Sequence, residues 1–288
     1  MVSYPKESPP ANACHPVEIP THGSGHDVSQ GPLKNLLLAS LTRAEFEHIE
    51  PFLEWVEMPQ GELLFESGSR QDHVYFPTTA VVSLHYLTQN GSSAEVAEVG
   101  REGVIGISLF MGVNTTLIRA SVILGGYGYR LKAVKLAQEL ERGGGRRGGV
   151  LQQLLLRYTQ ALMTQVAQTA VCNRHHSVEQ QLCRWLLLAC DRSPTQELAV
   201  THELIASMLG VRREGITGAL GHLQDCGYLI CRRGHITVLN RAGLEREVCE
   251  CYPVLRRELD RLLNPNDPFR APGSALSNLG AIPKKSLM

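Results

Sequence analysis

Two adjacent arginines and a glutamate, Arg212, Arg213 and Glu214, are the residues whose types and spacing best suit a binding chemistry, and Thr217 follows them about one helical turn later. An arginine fork can donate two hydrogen bonds to guanine, and a glutamate can accept one from the cytosine amine. Arginine and threonine can also bind phosphates. Because paired arginines occur on solvated surfaces too, this chemistry depends on the element that carries them.

The stretch from Thr201 to Ile230 predicts two helices separated by a tight turn. Thr201 is a suitable N-cap for the first helix, and Gly210 can adopt the left-handed conformation that ends it. A glycine within a helix costs about 1 kcal/mol relative to alanine, so its position here indicates a turn. Arg212 and Arg213 then begin a second helix. This pattern is typical of helix-turn-helix DNA readers, whose second helix meets base edges in the major groove.

A short β-hairpin is predicted directly after the second helix, over residues 231–239. We expect it to act as a wing, with basic residues near its tip contacting backbone phosphates. The predicted DNA-binding set is Thr201, Arg212, Arg213, Glu214, Thr217, Gly218, Arg232, Arg233 and His235.

Composition limits the function classes. The 288 residues carry a formal net charge of +0, which argues against a general polyanion-binding protein. The longest apolar run, Leu182–Cys190, is far shorter than the roughly 20 residues that span a bilayer. No secretory signal is visible, so we expect a cytoplasmic protein with reduced thiols.

Five segments follow from the patterning, and together they predict an α+β fold. Residues 1–32 and 264–288 are expected to be disordered tails because they are rich in Pro, Gly and Ser. Short β-branched runs predict a β-jelly-roll sensor domain over residues 33–148. A long helix over 149–174 and a winged helix-turn-helix domain over 175–263 complete the chain.

The long helix is apolar on more than one side, which predicts that it packs against its own β domain and against a second subunit. A helix buried wholly within one domain is the alternative. The predicted dimer interface is Leu151, Leu155, Tyr158, Leu162 and Val166.

Cysteines and histidines do not form an obvious metal site in the sequence. Cys14, His15, His22 and His26 lie in the predicted N-terminal tail, which does not preset a tetrahedral site. We expect buried inert thiols at Cys172, Cys183 and Cys190. No cofactor is identified, although a haem or redox role for His175, His176 or these cysteines stays open. The segment "ERGGGRRGG" lacks the Lys and Ser/Thr of a phosphate loop and predicts a hinge.

The order of β-sandwich, long helix and winged helix-turn-helix resembles the Crp/Fnr family, which includes the cyclic-AMP receptor protein and the fumarate-nitrate regulator. These bacterial transcription factors bind DNA as dimers. The stretch "IASMLGVRREGITGAL" is the most specific match, and "GELLFESG" and "VYFP" resemble the family's opening strands. The resemblance places Arg213 and Glu214 at base-reading positions, and Gly218 where many members carry a further arginine.

The effector pocket departs from the family pattern. In "GREGVIGISLFMG", Ile107 stands where cyclic-nucleotide binders carry a glutamate, and the later segment reads "IRASV". Glu102 and Arg119 are candidate substitutes, or else structural or surface charges, so we expect an effector other than cyclic AMP. The iron-sulfur branch needs clustered N-terminal thiolates, and only Cys14 lies there. The candidate pocket set is Glu102, Gly103, Arg119 and Ser121.

The predicted function is a homodimeric, sequence-specific DNA-binding transcriptional regulator, with RNA polymerase as a further partner that activation would require. The alternative is a small-ligand or redox/haem sensing module whose helix-turn-helix serves protein contacts. An enzyme is disfavoured because no Ser-His-Asp, Cys-His or paired-carboxylate arrangement has local sequence support.

Overall fold

The computed structural model describes residues 31–89, 91, 93–143 and 149–263. The tail predicted over 264–288 and the four candidate N-terminal metal ligands lie outside the described residues, as does most of the glycine-rich hinge segment. None of the described helices is long and apolar enough to cross a membrane.

The described part of the chain contains both strands and helices, with most of the strands in its N-terminal half. The strands are β1 Glu54–Met58, β2 Leu63–Phe65, β3 His73–Pro77, β4 Val81–Leu87, β5 Ser93–Val99, β6 Arg119–Leu124, β7 Gly126–Lys132, β8 Glu197–Leu198, β9 Leu229–Arg232 and β10 His235–Val238. The helices are α1 Leu36–Ala39, α2 Arg43–Ile49, α3 Ile107–Phe110, α4 Ala133–Arg142, α5 Val150–His175, α6 Val178–Arg192, α7 His202–Leu209, α8 Arg213–Asp225, α9 Arg241–Glu247 and α10 Cys251–Leu263. Single 3-10 turns lie at Pro32–Lys34 and Glu50–Phe52.

Two antiparallel sheets form the β-roll. One has the strand order β1-β7-β3 and the other the order β2-β6-β4-β5. Alternate residues of β3 and the start of β6 are buried, as expected when successive side chains point to opposite faces of a sheet. Apolar side chains from both sheets, including Phe76 and Val122, belong to one core. The predicted α+β fold class is confirmed.

Helix α5 packs along this core. Leu151, Leu155, Tyr158 and Leu162 are buried together with residues of both sheets. The position of Tyr158 also explains why residue 103 is a glycine, because a Cβ atom on Gly103 would lie 2.4 Å from the Tyr158 phenol oxygen. Gly103 is therefore a close-packing residue beneath α5.

The predicted dimer interface must be corrected. Four of its five residues, Leu151, Leu155, Tyr158 and Leu162, face the core of their own chain, and only Val166, with 37% of its surface exposed, points outward. The width of the apolar stripe was visible in the sequence, but periodicity does not show which side of a wide stripe meets the β-roll. The large apolar residues exposed on α5 are Leu156, Met163, Val166 and Val171.

Helices α6 to α8 and a small sheet form the C-terminal domain. Helix α6 begins with the predicted capping box, in which Ser177 and Gln180 exchange hydrogen bonds with each other's backbone N–H groups. Strand β10 pairs with β9 as the predicted hairpin and also with β8, a strand that the sequence did not reveal. The core of this domain includes Val81, Ile123 and Leu124 of the β-roll, so the two halves share apolar packing.

Candidate nucleic-acid interface

The turn between α7 and α8 has the predicted geometry. The Thr201 side chain accepts a hydrogen bond from the Leu204 N–H at 3.1 Å and caps α7. Gly210 ends the helix with φ +65° and ψ 30°, a left-handed conformation that strains residues with a Cβ. Arg212, in extended conformation, precedes α8. The first turn of α8 therefore begins at the two arginines.

One face of α8 is buried and the other is exposed. Ile216, Ala219, Leu220 and Leu223 pack into the core. The exposed residues at the start of the helix are Arg212, Arg213, Glu214, Thr217 and Gly218. This amphipathic division presents the donors and acceptors of the first two turns to solvent, where a nucleic-acid groove could receive them.

Two of these exposed side chains contact residues of α7. The Arg213 Nε atom lies 3.9 Å from a carboxylate oxygen of Glu203, but both side chains are mostly exposed, and such a pair is too weak to hold the guanidinium. The Thr217 hydroxyl lies 3.1 Å from Nδ1 of His202, which orients it. His202 is a residue that sequence reasoning missed, because only the turn geometry brings the start of α7 beside α8.

The hairpin carries its basic residues at the tip, as predicted. Arg233 has φ +41° and Gly234 has φ +85°, so both adopt the left-handed conformation of a tight two-residue turn. Arg232 and Arg233 are exposed, and neither forms an ion pair within the described part of the chain. His235 Nδ1 lies 3.1 Å from Glu197 on the unpredicted strand β8. The two arginines are therefore available to phosphates.

A cavity of about 160 Å³ lies between the β-roll and α5. Its lining is mainly apolar and includes Phe65, Leu84 and Ile118, with Gln71 and Ser108 among the few polar groups. Among the residues that the structure describes, no charged side chain lines it, so they offer no guanidinium for a phosphate. The chemistry of this cavity suits an uncharged, mainly apolar molecule.

The four candidate pocket residues do not line this cavity, and the structure does not bring them together. Arg119 donates to Glu66 at 2.9 Å on the exposed side of the roll. Ser121 lies in β6, paired with β2 and β4. Gly103 packs beneath Tyr158. Glu102 is buried in an ion pair with Arg192. Of the two interpretations of Glu102 and Arg119, the structure supports that of structural and surface charges.

A buried charge cluster joins α6 to the β-roll. Arg192, at the end of α6 and 3% exposed, donates to Glu102 at 2.7 Å and to Glu98 at 3.2 Å. Gln165 of α5 donates to the backbone carbonyl of Glu98. The cluster connects the β-roll, the long helix and the C-terminal domain, and sequence reasoning missed it because its members are distant in the chain.

The carboxyl of Glu95 lies beside Glu98 and belongs to the same buried cluster. Burial raises the pKa of Glu95 well above its ordinary value, and the nearby Glu98 raises it further. Burial also raises the pKa of Glu98, although Arg192 opposes the shift. Glu95 therefore keeps its proton more readily than a solvated glutamate, which lessens the repulsion between two carboxyls at one buried site.

The buried cysteines separate into two groups. Cys183 and Cys190 are buried in α6 among apolar residues, as predicted, and burial raises the pKa of both thiols. Cys172 is also buried, as predicted, but its sulfur lies 3.6 Å from that of Cys249, a contact that the sequence did not predict. Cys172, His176, Cys249 and Cys251 form a group that could hold a metal ion. The sequence alone did not indicate this group, because 77 positions separate Cys172 from Cys249.

Comparisons with known proteins agree with this geometry. Residues 180–247 match the family model of the Crp-like helix-turn-helix domain. No curated protein matches the chain by sequence.

Several solved structures share the fold. FixK2 of Bradyrhizobium japonicum is 17% identical, with a TM-score of 0.55 over 68% of this chain and 98% of its own. A CRP-family transcriptional regulator of Thermus thermophilus is 18% identical, with a TM-score of 0.54 over 67% and 95%. The c-di-GMP responsive regulator CLP of Xanthomonas campestris is 16% identical, with a TM-score of 0.54 over 68% and 99%. At these identities the likeness shows the fold.

Proposed function

We propose that this chain, which carries a Crp-like helix-turn-helix domain on the fold of Crp/Fnr-family regulators, is a transcriptional regulator that binds duplex DNA as a homodimer. The observation that carries the proposal is the start of α8, where Arg212, Arg213 and Glu214 are exposed while the opposite face of the helix is packed. Arg213 and Glu214 read bases, and Arg212 with Thr217 contacts phosphates.

The hairpin contributes a second, sequence-independent contact. Arg232 and Arg233 at its tip bind the phosphate backbone beside the groove that α8 enters. Gly218 leaves an open space on α8, because no atom lies within 4 Å of where its Cβ would stand. Base reading therefore depends on the first turn of the helix.

The first experiment is selection of bound duplexes from a random library by the purified full-length chain. We expect an enriched two-fold symmetric sequence with half-sites about one helical turn, or roughly 10 base pairs, apart. Affinity for the selected duplex should fall steeply with salt, because each phosphate contact releases counterions. Weak, salt-insensitive binding without enrichment, in buffer and in crude extract alike, would instead favour a helix-turn-helix that serves protein contacts.

Arg213→Ala and Arg233→Ala should weaken binding in different ways. We expect Arg213→Ala to cost about 1 to 3 kcal/mol and to relax preference at one base pair. Arg233→Ala should weaken all sequences nearly equally, because a phosphate contact carries no base information. Binding constants for the selected duplex and its single-base variants check this, and a uniform loss in both variants would refute the base-reading assignment.

The homodimer is proposed to form along the exposed side of α5. Leu156, Met163 and Val166 are spaced seven and three residues apart on that side, with 55%, 62% and 37% of their surfaces exposed. This spacing is that of a coiled-coil seam. Leu156→Glu combined with Met163→Glu should give monomers by light scattering. Val134→Glu, at an exposed apolar residue of α4, is the matched control and should leave the dimer intact.

The effector is proposed to be an uncharged, mainly apolar molecule in the β-roll cavity. Leu162 of α5 is one of the residues that line this cavity, so a ligand bound there contacts the helix that leads to the DNA-binding domain. A ligand acts by binding one of two arrangements of these halves more tightly. Thermal unfolding should show no stabilisation of the chain by cyclic AMP.

A further inference from the structure

Four potential metal ligands converge where α5, α6 and α10 meet. Cys172 lies in the last turn of α5, and His176 follows that helix directly. Cys249 lies just before α10, and Cys251 is its first residue. The three sulfur atoms and one ring nitrogen all lie within 4.8 Å of one another.

Two of the distances between these atoms are close to the edges of a tetrahedral zinc site, and the others are at most 4.8 Å. The Cys172 and Cys249 sulfurs are 3.6 Å apart, and the Cys251 sulfur lies 3.4 Å from Nδ1 of His176. Zinc bond lengths of about 2.3 Å to sulfur and about 2.0 Å to nitrogen give tetrahedral edges of roughly 3.8 Å and 3.5 Å. An iron-sulfur cluster would need its thiolates further apart than these atoms lie.

Neighbouring groups orient the ligands as the outer shell of a metal site does. Nε2 of His176 lies 3.3 Å from the Glu250 carboxylate, so a proton on that nitrogen leaves Nδ1 free to bind a metal. Gln168 donates an amide hydrogen bond to the Cys251 sulfur at 3.1 Å. Gln181 fixes the backbone at this point by donating to the His176 carbonyl at 2.9 Å.

Burial and charge also fit a metal. Cys172, Cys249 and Cys251 are each at most 3% exposed. Three thiolates and a neutral imidazole around a divalent ion carry a net charge of −1. Arg184, buried in α6, donates to Thr169 less than one turn before Cys172 and supplies a nearby positive charge.

We propose that Cys172, His176, Cys249 and Cys251 bind one zinc ion in a closed, four-coordinate structural site. Thiolate and imidazole donors suit zinc, and four protein ligands leave no position open for a substrate. Binding displaces one proton from each thiol that is still protonated, so affinity rises with pH until all three are thiolates.

The ion links the start of α10 to the end of α5. The helical axis breaks at this same place, because His176 is extended and Ser177 caps α6, the first helix of the C-terminal domain. The ion therefore fixes the chain at the connection between the two halves. An effect on DNA affinity rests on the proposed function, whereas metal binding does not.

The test is the metal content of the full-length chain, purified with reductant from zinc-supplemented cells and measured by mass spectrometry of the elements. Cys249→Ser combined with Cys251→Ser removes two ligands. Cys226→Ser is the matched control, since this exposed cysteine also lies near a histidine but outside the group. We expect one zinc per chain in the wild type and the control, and none in the double variant.

A second measurement keeps the proposal testable if the double variant does not fold. Cobalt added to metal-free wild-type chain should give the intense visible bands of tetrahedral coordination and a thiolate-to-cobalt charge-transfer band. The proposal is overturned if the wild type contains no zinc and gives no tetrahedral cobalt spectrum, or if the double variant binds as much zinc as the wild type. An iron-containing chromophore, or a Cys172–Cys249 disulfide in chain freshly purified without reductant, would overturn it as well. None of these readouts uses DNA, so a failure here is separate from a failure of the proposed function.

Discussion

The two ends of α6 are held to the rest of the molecule by different chemistry. At its end, Arg192 lies buried between the carboxylates of Glu98 and Glu102. Beside its start, the thiols of Cys172, Cys249 and Cys251 gather around the imidazole of His176. Arg192 joins α6 itself to the β-roll, whereas the thiol group joins α5 to α10 next to the start of α6, and three of its four members are buried.

The difference lies in what completes each group. Arg192 is paired with carboxylates of the chain itself, and the raised pKa of the neighbouring Glu95 favours the uncharged form of that carboxyl. The thiol group consists of donors that an ion would complete. The connection at the end of α6 is therefore permanent, whereas the proposed connection at its start depends on metal supply.

The largest expected effect comes from breaking the permanent connection. Arg192→Met leaves two buried carboxylates without their cation, which typically costs about 3 to 5 kcal/mol in the free energy of unfolding. Urea denaturation checks this. Arg43→Met, which removes an arginine paired with Glu47 on the surface, is the control and should change stability little. Equal losses in both variants would show that the cluster does not hold the halves together.

A smaller effect is expected at the proposed metal site. Glu250→Gln removes the carboxylate that orients His176, and loss of such a partner typically lowers metal affinity by about 10- to 100-fold. Competition with a coloured chelator measures the affinity. The metal-free variant should unfold at the same urea concentration as the metal-free wild type. If it is less stable, Glu250 acts on the fold and not through the metal.

The third effect is a dependence of stability on pH, and it concerns the proton on Glu95. Because its pKa is raised in the folded chain, this group contributes stability that is fully present below the unfolded pKa near 4.5 and is lost as pH rises through the folded pKa. Glu95→Gln mimics the protonated carboxyl and removes this dependence, which is at most about 1.4 kcal/mol per pH unit. Unfolding free energies from pH 5 to 8, compared between wild type and variant, check it. Identical slopes would mean that Glu95 is ionised in the fold.

The segment of α7 and α8 shows which features local sequence patterns can predict. Thr201, Gly210 and the arginines after it predicted a capped helix, a left-handed turn and a second helix, and the structure has all three. Caps and turns depend on hydrogen bonds and backbone angles within a few residues, so the sequence specifies them. The exposed and buried faces of α8 followed from helical periodicity for the same reason.

Contacts between residues distant in the chain could not be predicted from local sequence patterns. The apolar stripe of α5 was recognised, but its assignment to a dimer seam was wrong for Leu155 and Leu162, because only the packed β-roll decides which side it covers. Glu102 was considered for a ligand pocket, yet its partner Arg192 lies 90 residues away.

The sequence by itself therefore determined the α+β class, the order of the elements and the residues exposed at the start of α8. The tertiary structure decided which face of α5 is free, that the described lining of the β-roll cavity is uncharged, and that Cys172 meets Cys249 and Cys251. Local propensity acts over one or two turns of chain. Burial joins residues whose distance in sequence carries no signal, so the two groups beside the ends of α6 appear only once the core is formed.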